Sequence, residues 1–371
     1  MSDWRVEDGY SGVCINALAN IHLGDGEVFN LKPGVGVGID VLQGLALTIE
    51  NVNGGHDPAN KPLANLRVFH CGDINLKNNR FLFGLNGAII CPGAGQTVNF
   101  FNAVQCDFDG NTSHSILVNP SNGGIVQFFK YTHGEANGGA ECLHFEPTSG
   151  AKVSEVHVEA MTMVGHSVAC ITAIADTGQI ENFGVNTCDI GQAPVGIRLR
   201  GVDRGAIGGN LVGSQGNWPG VSVGLVMEDS ASRPTDRIVV EENDFTGAGT
   251  PLVFTSTGRR NRIGDNNIGL DAATTANLTG NVSDWFPPGL HGSNYLRINC
   301  SAMATVTGID APIHQKTLRI LNCGSASLTL ANEHSWSAPQ NRFYMGGDIV
   351  LQPDRGCTLV YDMIDKRWRR V

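Results

Sequence analysis

The sequence reads as an all-β protein, a right-handed single-stranded parallel β-helix followed by a small antiparallel β-sandwich. The first observation is a recurrence of inward-type residues at offsets 0, +2, +5 and +7, clearest in Phe183, Val185, Cys188 and Ile190. It returns in Ile74, Leu76, Asn79 and Phe81, in Phe101, Ala103, Cys106 and Phe108, in Val156, Val158, Met161 and Met163, and in Ile238, Val240, Asn243 and Phe245. The second is spacing. With weaker copies at Leu47, Val126, Gly205 and Asn261, successive starts lie 27, 27, 25, 30, 27, 22, 33 and 23 residues apart. A mean of about 27 suits one coil of a β-helix and is too short for a propeller blade. The third is composition: 371 residues with 48 Gly, 7% aromatic and 16% charged residues describe a turn-rich chain with few helices.

Within each copy, offsets 0 and +2 form a short strand with one face inward. The step of three to +5 marks a corner, and +5 to +7 makes a second inward pair. The corner residue is Asn79, Asn210, Asn243 or Asn266 in four copies and Cys106 or Cys188 in two others. Stacked Asn side chains can satisfy corner backbone groups, while stacked Cys pack as small apolar residues. Cys142 and Cys170 precede Leu143 and Ile171 in matching contexts and read as buried thiols.

Taken in order, residues 1–44 are glycine-rich and read as a segment capping the first coil. Residues 45–270 form the β-helix, with loops expected in the two longest gaps, the second carrying Trp218. Residues 271–293 break the pattern and read as a linker. Residues 294–371 alternate over short strands around 295–299, 318–321, 328–330, 348–351 and 358–361, the pattern of an antiparallel sandwich.

In this last part Leu328 to Glu333, Ala338 to Phe343, Gly346 to Pro353, Thr358 to Asp362 and Arg367 to Arg369 together resemble the C-terminal domain of many bacteriophage tail fibre and tailspike proteins. The β-helix ahead of it is also similar to a tailspike body. The resemblance implies a virion location, a parallel homotrimer, other virion proteins as neighbours, and a host surface polysaccharide or receptor as the target. Three functions follow as expectations: non-enzymatic adhesion first, a polysaccharide depolymerase second, and a capsid or collar decoration protein linked by disulfides third.

A formal net charge of −10, with no basic run in the body, argues against nucleic acid as a partner. The basic cluster Lys366, Arg367, Arg369 and Arg370 alternates around Trp368 like an edge strand with a wet face. Residues 1–7 lack the charge and apolar run of a secretion signal, and no apolar stretch approaches the ~20 residues of a membrane span, so no membrane insertion is expected.

Glycoside hydrolysis needs two carboxyl groups roughly 5 to 10 Å apart. Glu155 and Glu159, which flank His157 on an outer face, would be ~13 Å apart along one strand. Glu181, Asp203 and Asp236 share offset −2 in successive coils and would stack, making them the catalytic candidates of the depolymerase reading. Offset −1 places Arg204, Arg237 and Arg260 beside them, so a neutralised charge ladder is the favoured reading. Trp218, Glu155, His157 and Glu159 remain as carbohydrate or partner contacts. The histidines lack the local spacing of a metal site, so neither metal nor cofactor is expected; His133 falls at an inward offset. Ten Cys without a CxxC pair exclude ribbon and redox motifs. Cys14, Cys300, Cys323 and Cys357, outside the coils, are the disulfide candidates.

Overall fold

The computed structural model describes residues 4–7, 9–213, 220–258, 260–264, 266, 274–287, 290, 295–312 and 316–371. The chain is nearly all strand and winds into a parallel β-solenoid of about 12 turns, with a separate mixed sheet near the C-terminus.

Each coil of the body has three faces. The first carries offsets 0 and +2; there Thr97–Val104 pairs in parallel with Cys71–Lys77 of the preceding coil and Ile125–Thr132 of the next. The second is short, built from Glu135–Asn137, Thr162–Val164, Asp189–Ile190 and Leu211–Val212, with Asp107 and Asp244 joining by single bridges. The third stacks Asn86–Ile90, His114–Val118, Glu141–Phe145 and Ala169–Ile174.

The repeated pattern is the core. Phe183, Val185, Cys188 and Ile190 are all buried, as are the matching residues of the other strong copies. Aromatic residues continue from coil to coil: Phe101 stacks on Phe129 at 5.1 Å, and Phe145 meets Phe129 and Phe183 edge-on at 5.1 and 5.2 Å. Such pairs add about 0.5–1.5 kcal/mol each beyond the area they bury.

The corner asparagines form the expected ladder. Asn79 Nδ2 donates to Ile49 O at 2.8 Å, and its Oδ1 accepts Val52 N–H at 2.9 Å. Asn210 Nδ2 donates to Val185 O and Asn243 Nδ2 to Ile207 O, both at 2.8 Å. Asn266 Nδ2 closes the run on Val240 O at 3.0 Å. Each amide therefore satisfies corner backbone groups that no strand partner reaches.

Several expectations change. The copy assigned to Val126 begins at Phe129, because Phe101 pairs with Phe129 and Ala103 with Tyr131. Its corner is Gly134 and its +7 residue is the buried Ala136, which leaves His133 exposed in a left-handed backbone (φ 55°) instead of inward. The coils also start well before residue 45. Trp4–Glu7, Gly26–Phe29 and Asn53–Gly55 stack as the first second-face strands, and Ser11–Gly24 pairs with Val37–Glu50. A further copy, Ile21, Leu23, Gly26 and Val28, is masked by its corner glycine. A Cβ at Gly26 would lie 2.1 Å from the Trp4 indole, so the residue is small because Trp4 covers it.

The C-terminal unit has two layers, as expected, but its pairing is mixed. Thr274–Leu278, Tyr295–Cys300 and Thr317–Asn322 run parallel, and Arg355–Asp362 and Arg367–Arg370 close the sheet in antiparallel fashion. Opposite them, Ala304–Val306 and Leu328–Leu330 are parallel, with Ile349–Leu351 antiparallel. Part of the expected linker is thus a rung of this unit. Its core holds Leu296, Ile320, Phe343, Leu359 and Trp368, and the Trp368 indole donates to Ile309 O at 3.0 Å.

Candidate functional site

The outer side of the first face carries the most distinctive surface among the described residues. Phe100 and Phe128, from adjacent coils, are 47% and 44% exposed, yet their rings stack at 4.7 Å and 10°. Alternation turns each ring outward beside the buried Phe101 or Phe129. The irregularity lies just ahead of them: Val98 and Val126 are also buried, three residues before Phe101 and Phe129, and Phe128 adopts φ 50°. The pair floors a hollow of about 490 Å³ lined also by Asp73, Asn75, Asn102, Lys130 and His157.

Four of the five polar groups of this hollow come from one ladder column, since Asn75, Asn102, Lys130 and His157 are successive partners in register, while Asp73 is the partner of Phe100. Asn102 Nδ2 donates to Asn75 Oδ1 at 3.3 Å, while Asn102 Oδ1 is sheltered and has no protein partner. Lys130 Nζ stands 3.9 Å from Glu159 Oε2. Two adjacent apolar rings edged by amide, ammonium, imidazole and carboxylate groups form a platform suited to a ligand with apolar faces and polar edges.

Of the predicted contact residues, His157 lines the hollow and Glu159 lies beside Lys130. Glu155 is held by the Asn182 side chain one coil on. Trp218 lies outside the described residues.

Glu181, Asp203 and Asp236 do stack in register on successive coils. Each faces a cation. Lys152 Nζ meets Glu181 Oε2 at 2.9 Å, Arg237 Nε meets Asp203 Oδ1 at 2.8 Å, and Arg260 Nε meets Asp236 Oδ2 at 2.8 Å. At Asp236, burial pulls the carboxyl pKa up, but hydrogen bonds from the Arg260 backbone and guanidinium outweigh it and hold the pKa below its usual value. That geometry holds Asp236 as a carboxylate, the opposite of what a general acid needs.

Elsewhere the structure gathers residues that local spacing had separated. His114, Glu141 and His144 converge on the outer side of the third face, with one ligand atom from each within 4.8 Å of the others. His114 pairs with Glu141 across coils, and His144 follows three residues later on the same side. Period-two alternation fails here because Ser115 and Ile116, like Cys142 and Leu143, both turn inward. Burial, with His144 nearby, pushes the His114 pKa down to about 4. For His144 burial also pulls downward, but Glu141 and Glu146 overcome it and raise its pKa. A distance of 27 between His114 and Glu141, one coil, is the signal that could have flagged the cluster.

All ten cysteines are free thiols. Of the four disulfide candidates Cys14 is exposed, Cys323 and Cys357 are half-buried, and Cys300 is buried in the C-terminal core, where it cannot reach another chain. Two of the C-terminal cations are paired, Arg367 with Glu333 at 2.8 Å and Arg369 with Asp362 at 2.9 Å. No family model matches the chain, and neither a curated protein nor a solved structure matches it.

Proposed function

We propose that this chain is an adhesion component of a tailed-bacteriophage virion, of the tailspike or tail fibre kind, and that it binds a surface polysaccharide in the hollow floored by Phe100 and Phe128. The observation that carries the binding part is the stacked, half-exposed pair of rings on a rigid parallel ladder. A protein gains nothing in stability by leaving two large rings in water, so such a patch points to an interaction. Pyranose rings have apolar faces that stack on aromatic rings, and hydroxyl edges that need the amide and charged groups found at Asn75, Asn102, Lys130 and His157.

Assignment to a phage virion rests on the resemblance of residues 328–369 to the C-terminal domain of tail fibres and tailspikes. Homotrimeric assembly and contacts with other virion proteins come from the same resemblance. The ion-paired state of Glu181, Asp203 and Asp236 favours adhesion over cleavage.

The test is binding of purified host capsule or lipopolysaccharide oligosaccharides by calorimetry. Wild type should bind without releasing shorter fragments, and Phe100→Ala with Phe128→Ala should weaken binding at least about tenfold, the loss expected from ~1.4 kcal/mol of contact. Unchanged affinity in that double variant would remove the hollow from the proposal. Fragment release abolished by Asp203→Asn would replace adhesion with depolymerisation. Sedimentation as a monomer would remove the trimer.

A further inference from the structure

We propose that His114, Glu141 and His144 form a binding site for a divalent transition-metal ion, zinc in the first instance, clamping two neighbouring coils on the third face.

The donor set is two imidazoles and one carboxylate, which suits zinc and related ions and does not suit magnesium or calcium. His114 belongs to one coil, while Glu141 and His144 belong to the next. His114 Nε2 lies 3.6 Å from Glu141 Oε2, and His144 Nδ1 touches the same oxygen. Metal–ligand bonds of about 2.1 Å place neighbouring tetrahedral ligand atoms about 3.4 Å apart, so the first separation already fits and the second opens by a small ring movement.

The outer partners strengthen the case, because each candidate ligand has its other polar atom engaged. Asn86 Oδ1 sits 2.9 Å from His114 Nδ1, leaving Nε2 directed inward to the cluster. Thr172 Oγ1 donates to Glu141 Oε1 at 2.7 Å, leaving Oε2. Glu146 Oε2 lies 3.2 Å from His144 Nε2, leaving Nδ1. Ligating histidines characteristically have their second ring nitrogen held by a carboxylate or carbonyl oxygen, which fixes the tautomer and raises basicity. The three remaining atoms, His114 Nε2, Glu141 Oε2 and His144 Nδ1, are those that converge. The protein supplies three ligands, and water would complete the tetrahedron.

Purified full-length chain, stripped with chelator and titrated with Zn²⁺ at neutral pH, should bind a single tight equivalent that excess Mg²⁺ does not displace. Its unfolding temperature should rise. Co²⁺ in place of Zn²⁺ should give the visible bands of a four-coordinate nitrogen and oxygen site without a near-ultraviolet thiolate band. His114→Gln and His144→Gln should abolish this binding, and His133→Gln should leave it intact. Glu146→Gln alters a half-exposed residue that leaves the fold untouched, and should weaken affinity by about 10- to 100-fold. Failure to bind Zn²⁺, a thiolate band, or binding unchanged in His114→Gln would overturn the site. So would an unfolding temperature that His144→Gln lowers but Zn²⁺ does not raise, since that is the behaviour of an ion pair alone.

Discussion

Asn210 donates its backbone N–H to Asn243 Oδ1 at 3.1 Å, and its own Oδ1 accepts the backbone N–H of Cys188 at 2.9 Å. Both side chains are about 1% exposed, so the corner ladder is sealed from water. Asn243→Ala strands the Asn210 N–H and the Ile207 carbonyl together. The expected cost is about 2–4 kcal/mol, from two buried groups at about 1–3 kcal/mol each less partial relaxation. Urea unfolding would measure it, and a loss below about 0.5 kcal/mol would show that the ladder does not stabilise the corner.

The acidic column should behave as a surface ladder. Asp236→Asn keeps the side-chain shape but removes the charge facing Arg260. A loss of about 1 kcal/mol at low salt, shrinking as salt is added, is expected for a pair with one partner in solvent. A salt-independent loss of several kcal/mol would instead indicate a desolvated network.

Acid should weaken the fold through His166. Its ring is 2% exposed, with Nε2 3.3 Å from Ala136 O, and burial lowers its pKa from 6.5 to about 4. The unfolded chain therefore binds the proton more readily than the folded one. The stability contribution is complete above pH ~6.5 and is lost as pH falls toward ~4, to a total of about 3 kcal/mol. His56, also lowered by burial and only partly offset by Asn65, acts in the same direction. His166→Asn should flatten the pH dependence of the unfolding midpoint between those limits, while an unchanged slope would place the acid sensitivity elsewhere.

Thiol reactivity should sort by burial. Burial raises the Cys188 pKa to about 12 and the Cys71 and Cys357 pKa values to about 11, and it raises those of Cys142 and Cys170 too. Native chain mixed with a thiol reagent at pH 8 should label Cys14 within the first minutes and the inward cysteines only on unfolding. Cys14→Ser should abolish that fast phase, and any disulfide-linked ladder on non-reducing gels with it. A persistent ladder would implicate Cys323 or Cys357.

The body of the fold was readable because every inward position repeats and burial of a parallel ladder tolerates few substitutes. Legibility failed where glycine stood at a template position, as at Gly26 beneath Trp4, or where a bend consumed an extra residue. At Phe128 and Glu155 the backbone enters the left-handed region, with φ 50° and 55°, and alternation there loses its phase. Placing a copy at Val126 put Phe128 at its inward +2 position and so hid the ring pair with Phe100, and the cluster of His114, Glu141 and His144 spans a coil and a double inward turn. The acid column was legible because its irregularity repeats: Asn182, Arg204 and Arg237 each take a left-handed backbone at offset −1, with φ 55°, 66° and 58°, so Glu181, Asp203 and Asp236 keep one register.

The corrected register has a consequence for how such a chain changes length. Coils starting at Ile74, Phe101, Phe129 and Val156 differ by 27, 28 and 27 residues, and each start pairs with the next. Copying or deleting one whole coil would lengthen or shorten the body by one strand spacing, about 4.8 Å, without moving any side chain from inside to outside. Unequal recombination between neighbouring coils is therefore tolerated in whole-coil steps. An insertion of any other size must be absorbed between strands, as in the 33-residue coil from Gly205 to Ile238, where residues 229–235 connect Val221–Glu228 to Asp236–Glu241.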